Sequence, residues 1–376
     1  MQTQLTPRVL RIQVPAAGPY SRLPSNLYLV GSEGTRKVLV DTGNGSAFDA
    51  DVLRKLDDTD TVLLTHAHGG HARGLMLLSH ALNVHKFKDA HSHNNRIKNS
   101  NDKGVKQGSL SFILDNSCIT VQSKTSNALD STLRVIHVPG HSADSISLWL
   151  EQEQVLISGD AISSHPFSSK LHPSHILIEN LTDYMSSLKR LAALGPRIIF
   201  QGHGDIITNG IDYIQDAIDC QTKLSARILN FVDQYRSISS SQLTNLLLSS
   251  ELYPSLGSTF DESRDRLVLE GTVKQHLLSL ENKKLVKRVV DANGLKGKEN
   301  VTQNQRNMKG PGGLTYDKIF DAVQNSRKKD WSQRVKEDGE KESVRALNQQ
   351  WKVHEKVHPA HTWIDFSNQV EWGSLA

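Results

Sequence analysis

THAHGGH at residues 65–71 stands at the end of the apolar run TVLLT, 61–65. The run has the length and composition of a buried strand, so we expect the strand to stop where the histidines begin. His66 and His68 would then point the same way, while His71 would come round from the other side. Imidazole is the commonest zinc ligand and a catalytic zinc keeps one position open, so this stretch predicts a metal centre.

Three further residues of ligand type follow predicted strands later in the chain. They are His141 in VPGHSADS, Asp160 in ISGDAIS and His203 in FQGHGDII. Taken singly, each is more often a histidine in a turn or an aspartate at a helix start. Strand ends meet at one edge of a layered sheet, so together they are expected to converge on the histidine cluster.

Strands and helices interleave up to about residue 205, which is typical of a layered α/β protein. NLYLVG, 26–31, and KVLVDTG, 37–43, flank turn residues and predict a hairpin. Further strands are predicted at 131–138, 145–150, 154–159 and 196–202, and helices at 50–56 and 180–194. Two polar stretches, 85–110 and 163–175, interrupt the order as surface loops or insertions.

Beyond the layered domain, which we expect to span 1–211, the sequence turns helical. Helical periodicity covers 212–235, and SSQLTNLLL, 240–248, starts two more helices that close on a basic, β-branched end near Val290. This pattern fits a winged-helix-like module at 212–290 and a plain helical cap equally well. Residues 291–376 begin as a turn-rich linker and continue as a tail of unknown role.

The composition of the chain says more about its cellular compartment than about its substrate. The 376 residues carry a net charge of +4, which permits a polyanionic substrate without arguing for one. Two cysteines give no disulfide framework. No signal peptide and no apolar run of about 18 residues are visible, so we expect no membrane partner and a soluble intracellular protein of the cytoplasm or the mitochondrial matrix.

These motifs resemble the metallo-β-lactamase superfamily, whose pattern is His-x-His-x-Asp-His followed by His, Asp and His on successive strands. Residues 8 to 290 look most like its beta-lactamase-like protein two family of animal mitochondrial endoribonucleases, on PGHSAD, SGDAI, ENLTDYMSSLKRL and GHGDII. That likeness implies an αββα sandwich, a winged-helix C-terminal module and zinc-dependent cleavage of single-stranded RNA. Fungal polyketide thioesterases resemble the same template and imply hydrolysis of carrier-bound acyl thioesters.

The resemblance also implies a role for each candidate residue. The first zinc would be held by His66, His68 and His141, the second by His71 and His203, and the catalytic Asp160 would bridge them. Asp41, in VLVDTG, would orient a ligand histidine, a role compatible with capping the turn at Gly43.

The chain departs from the family pattern at Gly70, where the family has the aspartate of its first motif. Arg73 likewise replaces a usual glycine, while Gly74 is kept. The missing carboxylate is a second-metal ligand and proton handler in the family. Three interpretations follow: a hydrolase with one zinc, an enzyme with two zincs and a substitute ligand, or a binding or scaffold protein that has lost catalysis. The lysine-rich stretches 85–110 and 283–288 would contact phosphates in a nuclease, or form solvated surface.

Overall fold

The computed structural model describes residues 1–15, 23–45, 48, 50–56, 59–78, 83–88, 110–126, 128–163, 177–249, 262–289 and 350–353. The chain divides into two compact units, Met1–Ile218 and Asp219–Ala376. Most of the polar stretch 85–110, the loop 163–175 after its first residue, and the linker and tail except 350–353 lie outside the described residues.

Seven strands of the first unit form one sheet in chain order. They are β1 Gln2–Thr6, β2 Val9–Val14, β3 Ser25–Val30, β4 Lys37–Val40, β5 Thr59–Leu64, β6 Asn83–Phe87 and β7 Leu110–Ile113. The first four strands pair antiparallel, which confirms the hairpin between β3 and β4. Helix α1, Ala50–Leu56, follows β4, and from β4 to β7 the pairing is parallel. Parallel strands need such a crossover connection.

A second sheet has five strands in the order β12-β11-β10-β9-β8. Their bounds are β8 Cys118–Gln122, β9 Leu129–His137, β10 Ile146–Leu150, β11 Val155–Gly159 and β12 Ile198–Gln201. Helix α3, Leu181–Ala192, lies between β11 and β12 in the chain, and this pair is parallel. Asn180 caps the helix by accepting from the backbone of Asp183 at 3.1 Å.

The two sheets pack face to face, and helices cover their outer faces. Apolar residues of both sheets, among them Val30, Leu63 and Val135, share one core between the sheets. Residues of α1 pack outside the first sheet, while α3 and the start of helix α4, Gly210–Tyr235, pack outside the second. The αββα sandwich expected from the sequence is therefore confirmed.

The second unit is mainly helical. Its core joins the later turns of α4 to helix α5, Ser240–Leu248, and helix α6, Glu262–Asn282. A small antiparallel sheet runs in the order β13-β15-β14, with β13 Ile238–Ser239, β14 Val286–Val289 and β15 Gln350–Val353. The helices predicted at 212–235 and 240–248 are present, whereas β15 lies in the tail, where no strand was expected. The winged-helix interpretation of this unit stays a prediction.

Two whole-chain expectations concern cysteines and membranes. Cys118 and Cys220 form no disulfide bond with each other. Within the described ranges, no helix has the length and apolar character needed to span a bilayer.

Candidate metal centre

The six predicted ligands lie together at one edge of the sandwich, where strands end. His66, His68 and His71 follow β5, and the short helix α2, Gly69–Ala72, turns the chain between the last two of them. The others follow their own strands of the second sheet, His141 after β9, Asp160 after β11 and His203 after β12. The apolar strands are fixed by the core, and each ends with a ligand at the same rim.

The first group of ligand atoms belongs to His66, His68 and His141. Nδ1 of His68 lies 3.0 Å from Nε2 of His66 and 3.1 Å from Nε2 of His141. Zinc–nitrogen bonds of about 2.0–2.1 Å place tetrahedral ligand atoms ~3.3 Å apart, so these nitrogens are spaced as zinc ligands are. These three nitrogens lie close enough together to hold one metal ion.

The second group belongs to His71, Asp160 and His203. Nε2 of His71 lies 3.2 Å from Nε2 of His203, and Oδ2 of Asp160 is 3.3 Å and 3.6 Å from these nitrogens. The same oxygen is 3.8 Å from Nε2 of His66 and 3.7 Å from Nε2 of His141. It therefore lies between the two groups. The other oxygen of Asp160, Oδ1, is buried and has no hydrogen-bond partner among the described residues.

The hydrogen bonds of the outer ring nitrogens fix which nitrogen each histidine presents. Nδ1–H of His141 donates to the Leu177 carbonyl at 2.7 Å, and that of His203 donates to the Pro24 carbonyl at 3.2 Å. The Nδ1–H of His66 donates to Thr65 Oγ1 at 3.0 Å. Each anchored ring directs the lone pair of Nε2 into the site, which is the arrangement that metal-binding histidines need.

Asp41 holds the fourth anchored ring. Its Oδ2 accepts from Nδ1–H of His71 at 2.7 Å and from Thr65 Oγ1 at 2.8 Å, while its Oδ1 accepts from the Thr65 backbone at 2.8 Å. The backbone of Asp41 is left-handed, with φ of 61°, a conformation that costs energy for a residue with a side chain. The three hydrogen bonds offset that cost and join the first motif to β4.

Burial and neighbouring charges set the protonation of the site. Burial and the nearby His71 and His68 hold the pKa of His66 well below its ordinary value, and burial lowers the pKa of His203. Burial also opposes charge on His71 and Asp160, yet the opposite charges around them prevail. The pKa of His71 is raised by Asp160 and Asp41, and that of Asp160 is lowered by His71 and His203. The charged forms are thus favoured at His71 and Asp160, which face each other.

The loop that carries His141 is tied down from two sides. Ser142 Oγ donates to Oδ1 of Asp144 at 2.9 Å, and Lys86 Nζ lies 3.7 Å from Oδ2 of that buried carboxylate. The backbone N–H of Ile146 donates to the Thr65 carbonyl at 2.9 Å. Both sheets therefore position His141.

Sequence reasoning missed two hydroxyl residues next to the ligands. Thr65 connects Asp41 to His66, and Ser25 lies against Gly70, since a Cβ built on Gly70 would be 3.7 Å from Ser25 Oγ. Thr65 lies in the motif THAHGGH directly before the predicted ligand His66, and this position is the sequence signal that could have identified it. Ser25 is brought to the site by the bridge between the start of β3 and His203, which no local pattern reveals.

Known proteins resemble this chain in sequence and in fold. Residues 20–203 match the family model described as the metallo-beta-lactamase superfamily. A metallo-beta-lactamase family protein from Thermus thermophilus aligns with a TM-score of 0.55 at 21% identity, over 76% of this chain and 97% of that one. A beta-lactamase domain protein from Burkholderia ambifaria aligns with a TM-score of 0.56 at 16% identity, over 78% and 91%. At these identities the likeness concerns the fold.

Curated relatives carry two kinds of name. The "Beta-lactamase-like protein 2 homolog" of Caenorhabditis elegans is 29% identical over 248 residues, 64% of this chain and 77% of that protein. The "Lactamase-like protein aptB" of Emericella nidulans is 32% identical over 224 residues, 57% of this chain and 62% of its own length. The "Atrochrysone carboxyl ACP thioesterase" of Passalora fulva is 28% identical over 288 residues, 74% and 76% respectively.

Proposed function

The chain belongs to the metallo-β-lactamase superfamily, and from that premise we propose that it is a zinc-dependent hydrolase that cleaves phosphodiester bonds of single-stranded RNA. A hydrolase of this fold with a histidine cluster able to hold a metal follows from the family match and the geometry. We propose zinc as that metal, the six residues below as its ligands, and RNA as the substrate.

The observation that carries the proposal is the position of Asp160 Oδ2 between two groups of inward-facing nitrogens. We propose that His66, His68 and His141 would hold the first zinc, that His71 and His203 would hold the second, and that Asp160 would serve both. When bound, zinc supplies Lewis-acid activation of water and of the electrophilic centre.

The protein's own residues supply orientation and a proton acceptor. Thr65 and Asp41 hold the Nδ1 protons of His66 and His71, so both rings keep Nε2 towards the site. The carboxylate oxygens of Asp41 are already engaged with Thr65 and His71. Asp160 directs Oδ2 at both groups of nitrogens, and we propose Asp160 as the acceptor of the proton of the attacking water.

RNA is the proposed substrate because the motifs of the chain resemble those of the endoribonuclease family, and the relative named "Beta-lactamase-like protein 2 homolog" matches 64% of the chain. Within the basic segment 283–288, Lys283 and Lys284 are exposed and able to contact phosphates. Arg288 is engaged by both carboxylate oxygens of Glu281 and contributes less to such a surface. A thioester is the second candidate, favoured by the fungal thioesterase that matches 74% of the chain. Both reactions use an attacking water and differ in the electrophile.

A substrate panel tests the proposal. Zinc-loaded full-length protein is incubated with a labelled single-stranded RNA and, separately, with an acyl-pantetheine thioester. We expect RNA cleavage, and we expect a chelator to abolish it. Asp160→Asn and His68→Ala should also abolish cleavage. His85→Ala, which lies outside the proposed ligands, should retain it. Thioester hydrolysis without RNA cleavage would replace the first candidate by the second. Zinc binding without either reaction would favour the binding or scaffold interpretation suggested by Gly70.

A further inference from the structure

An unfilled position lies beside the second group of ligands, at Gly70. A Cβ built there would lie 3.7 Å from Ser25 Oγ and 3.9 Å from Cε1 of His203, which are ordinary van der Waals distances. The backbone of Gly70 is not in the left-handed region, so it does not require glycine. A Cβ would therefore fit at this position without backbone strain or steric overlap.

Other glycines of the site are there because the packing leaves no room. A Cβ on Gly202 would overlap Asp160 Oδ1, and one on Gly159, whose φ is 54°, would lie 2.8 Å from the Cβ of Thr65. Packing explains these two residues and does not explain Gly70. What Gly70 provides is open space at the place where the family pattern has a carboxylate.

The surroundings of that space suit an oxygen atom with negative charge. Ser25 begins β3, and its backbone is paired with His203, whose Nδ1 is anchored by the carbonyl of Pro24. This pairing holds the Ser25 hydroxyl, a hydrogen-bond donor, beside the ring that faces His71. Carboxylate and phosphate oxygens also suit zinc alongside imidazole.

We propose that the space beside Gly70 is a seat for one oxygen of an oxyanion, a carboxylate or a phosphate, with Ser25 as its hydrogen-bond donor. The proposal rests on the proposed zinc centre, since a cation held by His71, Asp160 and His203 would supply most of the attraction. An RNA phosphodiester carries a charged oxygen at the reacting centre, whereas an uncharged thioester does not. The seat therefore favours a phosphodiester over an uncharged thioester.

Zinc titration into metal-free, full-length protein tests the seat directly. Affinity for the second zinc is measured with no anion, with acetate and with phenyl phosphate. In the natural chain we expect an anion at ten times its dissociation constant to raise that affinity about tenfold. Acetate acting alone would identify a carboxylate as the occupant, and phenyl phosphate acting alone would identify a phosphate.

Substitutions locate the effect. Gly70→Asp and Gly70→Asn both fill the space, so neither should respond to anions, and only Gly70→Asp should bind the second zinc more tightly without anion. Ser25→Ala should respond less than the natural chain. Ser123→Ala is the matched control and should respond to anions as fully as the natural chain does. Ser123 pairs with Thr35 just before β4, at the opposite end of the strands from the predicted ligands.

Three results would overturn the seat. Two bound zinc ions with no response to either anion would reject it and leave the metal centre standing. An undiminished response in Gly70→Asn would place the anion elsewhere. Absence of zinc binding in every variant would reject the metal centre and the seat together.

Discussion

Buried histidines occur in both compact units, and their ring nitrogens are used in opposite ways. His276, in α6, is fully buried, and both of its nitrogens are occupied by side chains. Its Nε2–H donates to Gln221 Oε1 at 2.9 Å, and its Nδ1 accepts from Ser225 Oγ at 2.7 Å. Such a ring is complete within the core and has no capacity left for a ligand.

At the candidate metal centre only one nitrogen of each anchored ring is occupied by a protein acceptor. The other nitrogens face one another at 3.0–3.2 Å. Burial alone therefore does not distinguish a functional histidine from a structural one. The distinction lies in whether the second nitrogen is bonded within the fold or directed at its counterparts.

Removing one converging ring should have the largest effect. His68→Ala takes away the nitrogen that lies between Nε2 of His66 and Nε2 of His141. We expect the affinity of the first zinc site to fall by more than ~10²-fold, beyond the loss typical of residues that only orient a ligand. Equilibrium dialysis with metal analysis measures it. His276→Gln should keep full zinc content, and a loss there would erase the contrast between the two units.

Asp41→Asn should have the next effect, because it weakens the carboxylate that holds Nδ1 of His71. Substitution of a residue that orients a metal ligand typically lowers the metal affinity by about 10–100-fold, and we expect a loss in that range. The loss should be larger at the second zinc than at the first, because Asp41 contacts His71 directly and reaches His66 only through Thr65. Stepwise zinc titration separates the two, and equal losses at both sites would contradict the assignment of His71.

Much of this site could be predicted because strand ends are local features. The apolar run before His66 and the runs before His141 and His203 mark where each strand stops, and a layered sheet brings those ends together. Ser25 could not be found, since it reaches Gly70 only through the pairing of β3 with His203. Strand β15 was missed for a similar reason: four residues show no period, and their partners lie far away in the chain.

The contrast also predicts acid sensitivity in the helical unit. Burial and the positive charge of Lys283 lower the pKa of His276 from 6.5 to about 3. In the unfolded chain His276 takes up a proton near pH 6.5, whereas in the folded chain it stays neutral down to about pH 3. The contribution of neutral His276 to the unfolding free energy is therefore full above pH 6.5 and is lost as the pH falls towards 3. Between pH 7 and pH 5 we expect about 2 kcal/mol of the unfolding free energy to disappear through His276.

Urea unfolding followed by circular dichroism at the two pH values checks this expectation. Other groups titrate as well, so the informative quantity is the difference between the natural chain and His276→Gln. The variant should lose less stability on acidification. Identical pH dependence in both proteins would mean that His276 is not held neutral by the fold.

The smallest expected effect comes from removing one hydroxyl beside a histidine Nδ1 in each unit. These two substitutions are also the most closely matched pair in the two units. Thr65→Val deletes the oxygen that accepts from His66 and also donates to Asp41, and Ser225→Ala deletes the one that donates to His276, so the two substitutions are matched in the bond to the histidine. One hydrogen bond contributes about 0.5–1.5 kcal/mol, or roughly two- to tenfold in an equilibrium. We expect Thr65→Val to weaken the first zinc site by that factor and Ser225→Ala to lower the unfolding free energy with zinc affinity kept.

Thr61→Val on β5, whose hydroxyl bonds only Asp60 among the described contacts, controls for the strand. If Ser225→Ala weakened zinc binding as much as Thr65→Val did, the two histidine environments would be energetically linked and the contrast between them would fail.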